Sequence, residues 1–134
     1  MRNPVPGRTM VMAVAVLLCI DGIAQIATLP MIAEALAHTG FAPDAGRQIG
    51  PIALLCGLLL LFRRTSVLGA VLATGFLGGA IVAHVRIDEI GSPLICLGLG
   101  AVMWLGLALC DPRVRALHPF APQDGQSARY RAGY

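Results

Sequence analysis

Four apolar runs divide this chain and decide most of what it can become: Met10 to Leu29 (20 residues), Ile49 to Phe62 (14), Val67 to Val85 (19) and Leu94 to Leu109 (16). A helix needs about 20 apolar residues, within a range of roughly 17–25, to cross a hydrocarbon layer about 30 Å thick. The first and third runs meet that length outright. The second and fourth reach it by borrowing from their flanks. The second can begin near Asp44, with Pro51 tolerated in its early turns. The fourth can begin at Ser92, with Pro93 at the first helical position, where a missing N–H costs nothing. The runs are rich in Leu, Ala and Gly and lack polar alternation, which disfavours the strands of a barrel. The expected fold is all-α: a four-helix transmembrane bundle with spans over about 9–29, 46–62, 66–85 and 93–110.

Composition points the same way. Of the 134 residues, 57% are hydrophobic and 13% charged, whereas a soluble domain carries about 25% charged residues. A disordered chain or a coiled coil needs polar, charge-rich sequence. The length suits one domain. Four Cys without a CxxC spacing, with three scattered His, argue against a zinc ribbon or a disulfide-stapled module.

Orientation rests on Arg, because the chain contains no Lys. With four spans, Arg2, Arg8, Arg63, Arg64, Arg113, Arg115, Arg129 and Arg131 fall on one side, and only Arg47 and Arg86 on the other. The positive-inside rule then places both termini in the cytoplasm, as expected in a bacterial cytoplasmic membrane. The opposite side carries Glu34, Asp44, Asp88 and Glu89. A competing reading makes the first run a signal peptide: Arg2 and Arg8 precede the apolar stretch Met10 to Ile20, and Gly22-Ile23-Ala24 offers a small-residue cleavage site. Against it, apolar sequence resumes after Asp21 and continues to Leu29. Between the first two spans, Pro30 to Ala37 sets Met31, Ile32, Ala35 and Leu36 at helical spacing, as in a short helix on the membrane surface or a kinked extension of the first span. Asp111-Pro112 opens a second brief helix, whose Arg113 and Arg115 suit anionic head groups. Residues 119–134 read as a disordered cytoplasmic tail.

In lipid, small residues have to bring helix backbones together. The third span has Gly75, Gly79 and Ala83 every four residues, with Ala70, Thr74 and Gly78 as an adjacent stripe. One stripe is expected to pack inside the bundle and the other against a neighbour. Ala53 and Gly57 in the second span, and Gly98 and Ala101 in the fourth, are the expected recipients. A homo-oligomer interface is the other reading.

Asp21 is the residue most suggestive of function. A carboxylate within a span is expensive unless it is paired or hydrated. Gln25 and Thr28 follow it at i+4 and i+7 on the same helical face. His84 and Arg86, at the end of the third span, are the expected cations for Asp21. By the topology above, Asp21, Gln25, Thr28, His84 and Arg86 share one half of the membrane and form a candidate polar or ligand site. An Asp–His pair there suits proton relay or the polar head of a quinone. The plainer alternative is a set of hydrogen bonds that cross-link helices, with His84 and Arg86 marking the membrane boundary. No metal site is expected. Cys19, Cys56, Cys96 and Cys110 read as small apolar fillers, and Trp104, mid-helix, as a packing residue. No phosphate-binding loop, Ser–His–Asp set or haem-attachment motif occurs, and nothing points to nucleic acid.

The block Arg64-Thr65-Ser66-Val67-Leu68-Gly69-Ala70, Thr74-Gly75-Phe76-Leu77-Gly78-Gly79-Ala80 and His84-Val85-Arg86 resembles the DoxX-like family of small four-helix membrane proteins. Trp104-Leu105-Gly106-Leu107 and Asp111-Pro112-Arg113-Val114-Arg115-Ala116-Leu117 are similar to it as well, and Asp21 matches an acid that many members carry. The resemblance covers roughly Thr9 to Pro119. Two positions depart from the pattern: Gln25 stands where relatives often have Lys, and Arg63 where many have Pro. The founding member is a membrane subunit of a thiosulfate:quinone oxidoreductase, and others accompany redox or thiol-stress enzymes. The resemblance thus implies a non-catalytic accessory subunit of a quinone- or thiol-linked redox system, binding a redox enzyme as partner or a quinone-like lipid at the level of Asp21 and His84. A structural or stress-response membrane protein acting through helix packing is the second expectation. A small transporter is disfavoured by four spans without an inverted repeat.

Overall fold

The computed structural model describes residues 5–42 and 44–116; the expected tail lies outside them. The described residues are all-α, in the order α1 (Val5–Ile26), α2 (Pro30–His38), α3 (Gly46–Leu61), α4 (Ser66–Val85), α5 (Gly91–Cys110) and the short α6 (Pro112–Ala116). The helices α1, α4 and α5, of 22, 20 and 20 residues, are long and apolar enough to cross a membrane. At about 1.5 Å per residue they reach roughly 30 Å or more. α3 is apolar but has 16 residues. Its Pro51 sits in the second turn, where the lost N–H removes one intrahelical bond. α1 starts five residues before the apolar run and stops three short of Leu29. α5 starts at Gly91, so Pro93 lies at its third position rather than its first.

α1 packs on α3 and α5, and α4 packs on the same two helices. Consecutive long helices run antiparallel, leaving α1 and α4 diagonally opposed. The shared core is Val11, Val14, Ala15 and Leu18 of α1, Cys56 and Leu60 of α3, Ala70 and Ala73 of α4, and Met103 and Leu107 of α5, closed by Val114 of α6. Because α1 contributes so much of it, cleavage near Ala24 would remove the helix on which α3 and α5 pack. Large apolar side chains are turned outward, among them Leu17, Ile20, Leu55, Leu68, Val71, Leu94 and Leu97. A soluble monomer rarely exposes so much contiguous apolar surface. Lipid is the solvent that accepts it.

One end of these helices, where α1 begins and α3 ends, carries Arg8, Arg63, Arg64 and Arg115. The other, where α1 ends and α3 begins, carries Glu34, Asp44, Asp88 and Glu89, with Arg47 and Arg86. They are called the arginine end and the acidic end below.

The close backbone approaches lie elsewhere than the third-span stripe. Along the α1–α3 seam, a Cβ on Gly22 would stand 2.8 Å from the Gly50 carbonyl oxygen, and one on Gly50 would stand 2.6 Å from that of Gly22. Gly57 faces Ala15 and Cys19 of the same helix α1. Gly7 of α1 and Gly106 of α5 meet in the same mutual way, at 2.6 and 2.8 Å. By contrast, a Cβ on Gly75, Gly78 or Gly79 meets nothing within 4 Å, nor does one on Gly98. α4 instead buries Gly69, Ala70, Ala73 and Leu77. At 3.6 residues per turn, Gly75 and Gly79 fall on the far side from Ala73 and Leu77. Ala53 and Gly57 are both buried, and Gly57 packs against α1 rather than α4.

Candidate functional site

Asp21 is the only acid within α1, α3, α4 and α5. It lies five residues before the end of α1, about 7–8 Å below the acidic end at the rise of a helix. Gln25 Nε2 donates to Asp21 Oδ2 at 2.6 Å, the i, i+4 bond that their spacing permits. Gln25 is 8% exposed, and its Oε1 is buried without a hydrogen-bond partner among the described residues. Leaving such an acceptor empty costs about 1–3 kcal/mol. Asp21 itself is half-buried. Cys96, in the first half of antiparallel α5, lies at about the same level.

This half of the protein is loosely closed. α1 and α3 bury residues along their whole length, from Gly7 to Gln25 and from Gly46 to Leu60. α4 buries none beyond Leu77, and α5 none before Met103. Asp21 and Cys96 therefore sit where α1 is tightly held by α3 and α5 has only partly buried residues.

The other three residues expected at the site are held elsewhere. α1 ends at Ile26, so Thr28 leaves the helical face. Its φ of 48° is left-handed, and its N–H donates to the Gln25 carbonyl at 3.0 Å. A β-branched residue in that region is a strained outlier. His84 Nδ1 lies 2.8 Å from the Ala80 carbonyl, and its Nε2 is 3.9 Å from Glu89 Oε2. Glu89 Oε1 accepts from Ser92 Oγ at 2.6 Å, so His84 belongs to the α4–α5 turn. Arg86 reaches over α2, whose end is a Schellman turn: Gly40 N–H bonds to Ala37 and Phe41 N–H to Leu36. Gly40 has φ 82°, and the Arg86 guanidinium rests where its Cβ would be. Arg86 Nη2 donates to the Thr39 carbonyl at 3.5 Å, placing a cation at a helix C-terminus, where the dipole favours it. No hydrogen bond or ion pair joins Asp21 to His84 or Arg86 among the described residues. The diagonal placement of α1 and α4 is the reason.

A model of the DoxX-like family matches residues 9–106, most of the chain. The chain belongs to the DoxX-like family. No curated protein and no solved structure matches it. The match includes Asp21, Cys96 and Trp104, while Leu107 and the similar segment Asp111 to Leu117 lie beyond it. Trp104 is more than filler in this DoxX-like protein: its Nε1 donates to Thr74 Oγ1 at 2.9 Å, tying α5 to α4. Cys96, level with Asp21 on α5, is the residue that sequence reading passed over. Its position five residues into α5 sets it level with a residue five from the end of antiparallel α1, and that register was the available signal.

Proposed function

We propose that this DoxX-like protein is a non-catalytic accessory subunit of a quinone- or thiol-linked redox system. In this reading it is a four-helix bundle crossing the bacterial cytoplasmic membrane four times, with both termini cytoplasmic. α3 completes its span with flanking residues, and the arginine end faces the cytoplasm. The polar head of a quinone-type lipid docks beside Asp21 and Gln25, entering past the unburied half of α5. A redox enzyme in the same membrane is the partner that reduces or oxidises it.

The observation that carries the reading is the empty Gln25 Oε1 beside the Asp21 carboxylate. Both atoms are acceptors, so they fit a head that donates: the hydroxyl of a quinol better than the carbonyl of a quinone. When bound, the quinol supplies the electrons of the partner's chemistry. Asp21 and Gln25 bind and orient its hydroxyl. The test is binding of a short-chain ubiquinol to the full chain in lipid nanodiscs, compared with Asp21→Asn and Gln25→Leu. The reading expects quinol to bind the parent chain, with at least a ten-fold loss in both variants and weaker binding of the oxidised quinone. Equal binding by all three proteins ends it.

A second reading, a structural or stress-response protein acting through homo-oligomerisation, is favoured by one observation: Gly75, Gly78, Gly79 and Gly98 stand uncovered. Cross-linking of a Gly79→Cys variant in native membranes into a dimer supports it, and a monomer speaks for the first reading.

A further inference from the structure

At the arginine end, the helices leave an open groove of about 400 Å³ lined by Val5, Arg8, Thr9, Met12, Arg63 and Cys110. Four of these residues, at i, i+3, i+4 and i+7, form one face of the first turns of α1. Arg63 comes from the α3–α4 turn and Cys110 from the end of α5. The groove therefore joins three parts of the fold.

Both cations are held out toward it. The Arg8 guanidinium donates to the carbonyl of Leu61, the last residue of α3. A guanidinium has five N–H donors, so donors remain after that bond. The turn carrying Arg63 is tied down: Thr65 Oγ1 donates to the Leu59 carbonyl at 2.8 Å, and Ser66 Oγ donates to that of Arg63 at 3.1 Å. The Arg63 side chain is exposed and makes no hydrogen bond or ion pair among the described residues. Among the described residues, no carboxylate lines the groove. Met12 lies one helical turn deeper than Arg8, and both Val5 and Met12 are exposed. The surface is thus cationic at the membrane boundary and apolar just beneath it.

We infer that this groove holds the phosphate of an anionic phospholipid. The phosphodiester sits between Arg63 and the free donors of Arg8, with an acyl chain against Met12. Planar guanidinium groups match phosphate oxygens in pairs, and the volume falls within the range of small-molecule sites. The groove lies at the opposite end from Asp21, so phospholipid binding there is independent of quinol binding.

Native mass spectrometry of the full chain from neutral detergent tests it, with phosphatidylglycerol, phosphatidylcholine and inorganic phosphate as probes. Phosphatidylglycerol is expected to remain bound at least five-fold more than phosphatidylcholine. Arg63→Gln is expected to cut that retention about five-fold, the effect of one cation near an anionic lipid surface. Arg64→Gln, one residue on and outside the groove, is expected to leave it unchanged. Undiminished retention by Arg63→Gln overturns the inference. So does an equal loss in Arg64→Gln, which shows diffuse charge, and so does inorganic phosphate bound as firmly as the lipid, which shows a free-anion site. A thermal melt of Arg63→Gln matching the parent confirms that the comparison is between folded proteins.

Discussion

Two glycine-rich regions of this protein use the residue in opposite ways. Along the α1–α3 seam, Gly22, Gly50 and Gly57 each meet backbone of the facing helix closer than a Cβ allows. Along the acidic half of α4, Gly75, Gly78 and Gly79 meet nothing. Both sets obey the four-residue small-residue spacing or sit among residues that do. Spacing marks a face on which a close approach is sterically permitted. Whether a partner takes it depends on which neighbour the fold delivers there.

The sharpest way to break that contrast is to add one methyl to each region. Gly50→Ala sets a carbon 2.6 Å from the Gly22 carbonyl oxygen and 2.9 Å from the Ile26 nitrogen, neither of which can swing aside. Overpacking of that kind costs on the order of 3 kcal/mol, to be read as a lower midpoint of unfolding in SDS titration. A midpoint equal to that of the parent would mean that the α1–α3 seam is looser than described.

Backbone strain comes next, with effects of about 1 kcal/mol. Thr28→Gly is expected to stabilise by roughly that amount, because glycine adopts φ 48° without the steric cost of a β-branched side chain. Gly40→Ala is expected to destabilise by about as much, being strained at φ 82° and pressed against Arg86. Both are read in the same titration. If Arg86 does hold the end of α2, Gly40→Ala also speeds protease cutting near Gly40.

Smaller still is the tie between α4 and α5. Trp104→Phe keeps the ring's bulk but loses the hydrogen bond to Thr74, for about 0.6 kcal/mol, the average for interhelical bonds in lipid. At the bottom of the scale, Gly75→Ala and Gly79→Ala are expected to cost nothing, or to stabilise by up to about 1 kcal/mol through helix propensity. A clear loss in either would sharpen the comparison, since it would reveal a second chain covering the α4 face.

The helices were legible because each apolar run has one solution in lipid. Every backbone N–H must be satisfied within the segment, and Leu- and Ala-rich sequence does that as helix. The surface helix after Leu29 was legible from Pro30 and the spacing of Met31, Ile32, Ala35 and Leu36. The bond between Asp21 and Gln25 was legible too, because four residues on one helix are neighbours whatever else the chain does. Thr28 misled because the same face was carried past the helix end. His84 and Arg86 misled because sharing a membrane level with Asp21 says nothing of the lateral position of their helix.

Sequence alone determined that this is an all-α membrane protein of the DoxX-like family, with one carboxylate inside its long helices and Arg gathered at one end. Those properties follow from local chemistry: hydropathy, backbone hydrogen bonding and the cost of burying charge. The tertiary structure decided which helices are neighbours. It set α1 diagonal to α4 and parted Asp21 from its expected cations. It also spent the close contacts on Gly22 and Gly50 rather than on Gly75 and Gly79. Lateral order among apolar helices rests on shape complementarity between whole faces, and no single run of sequence contains both faces.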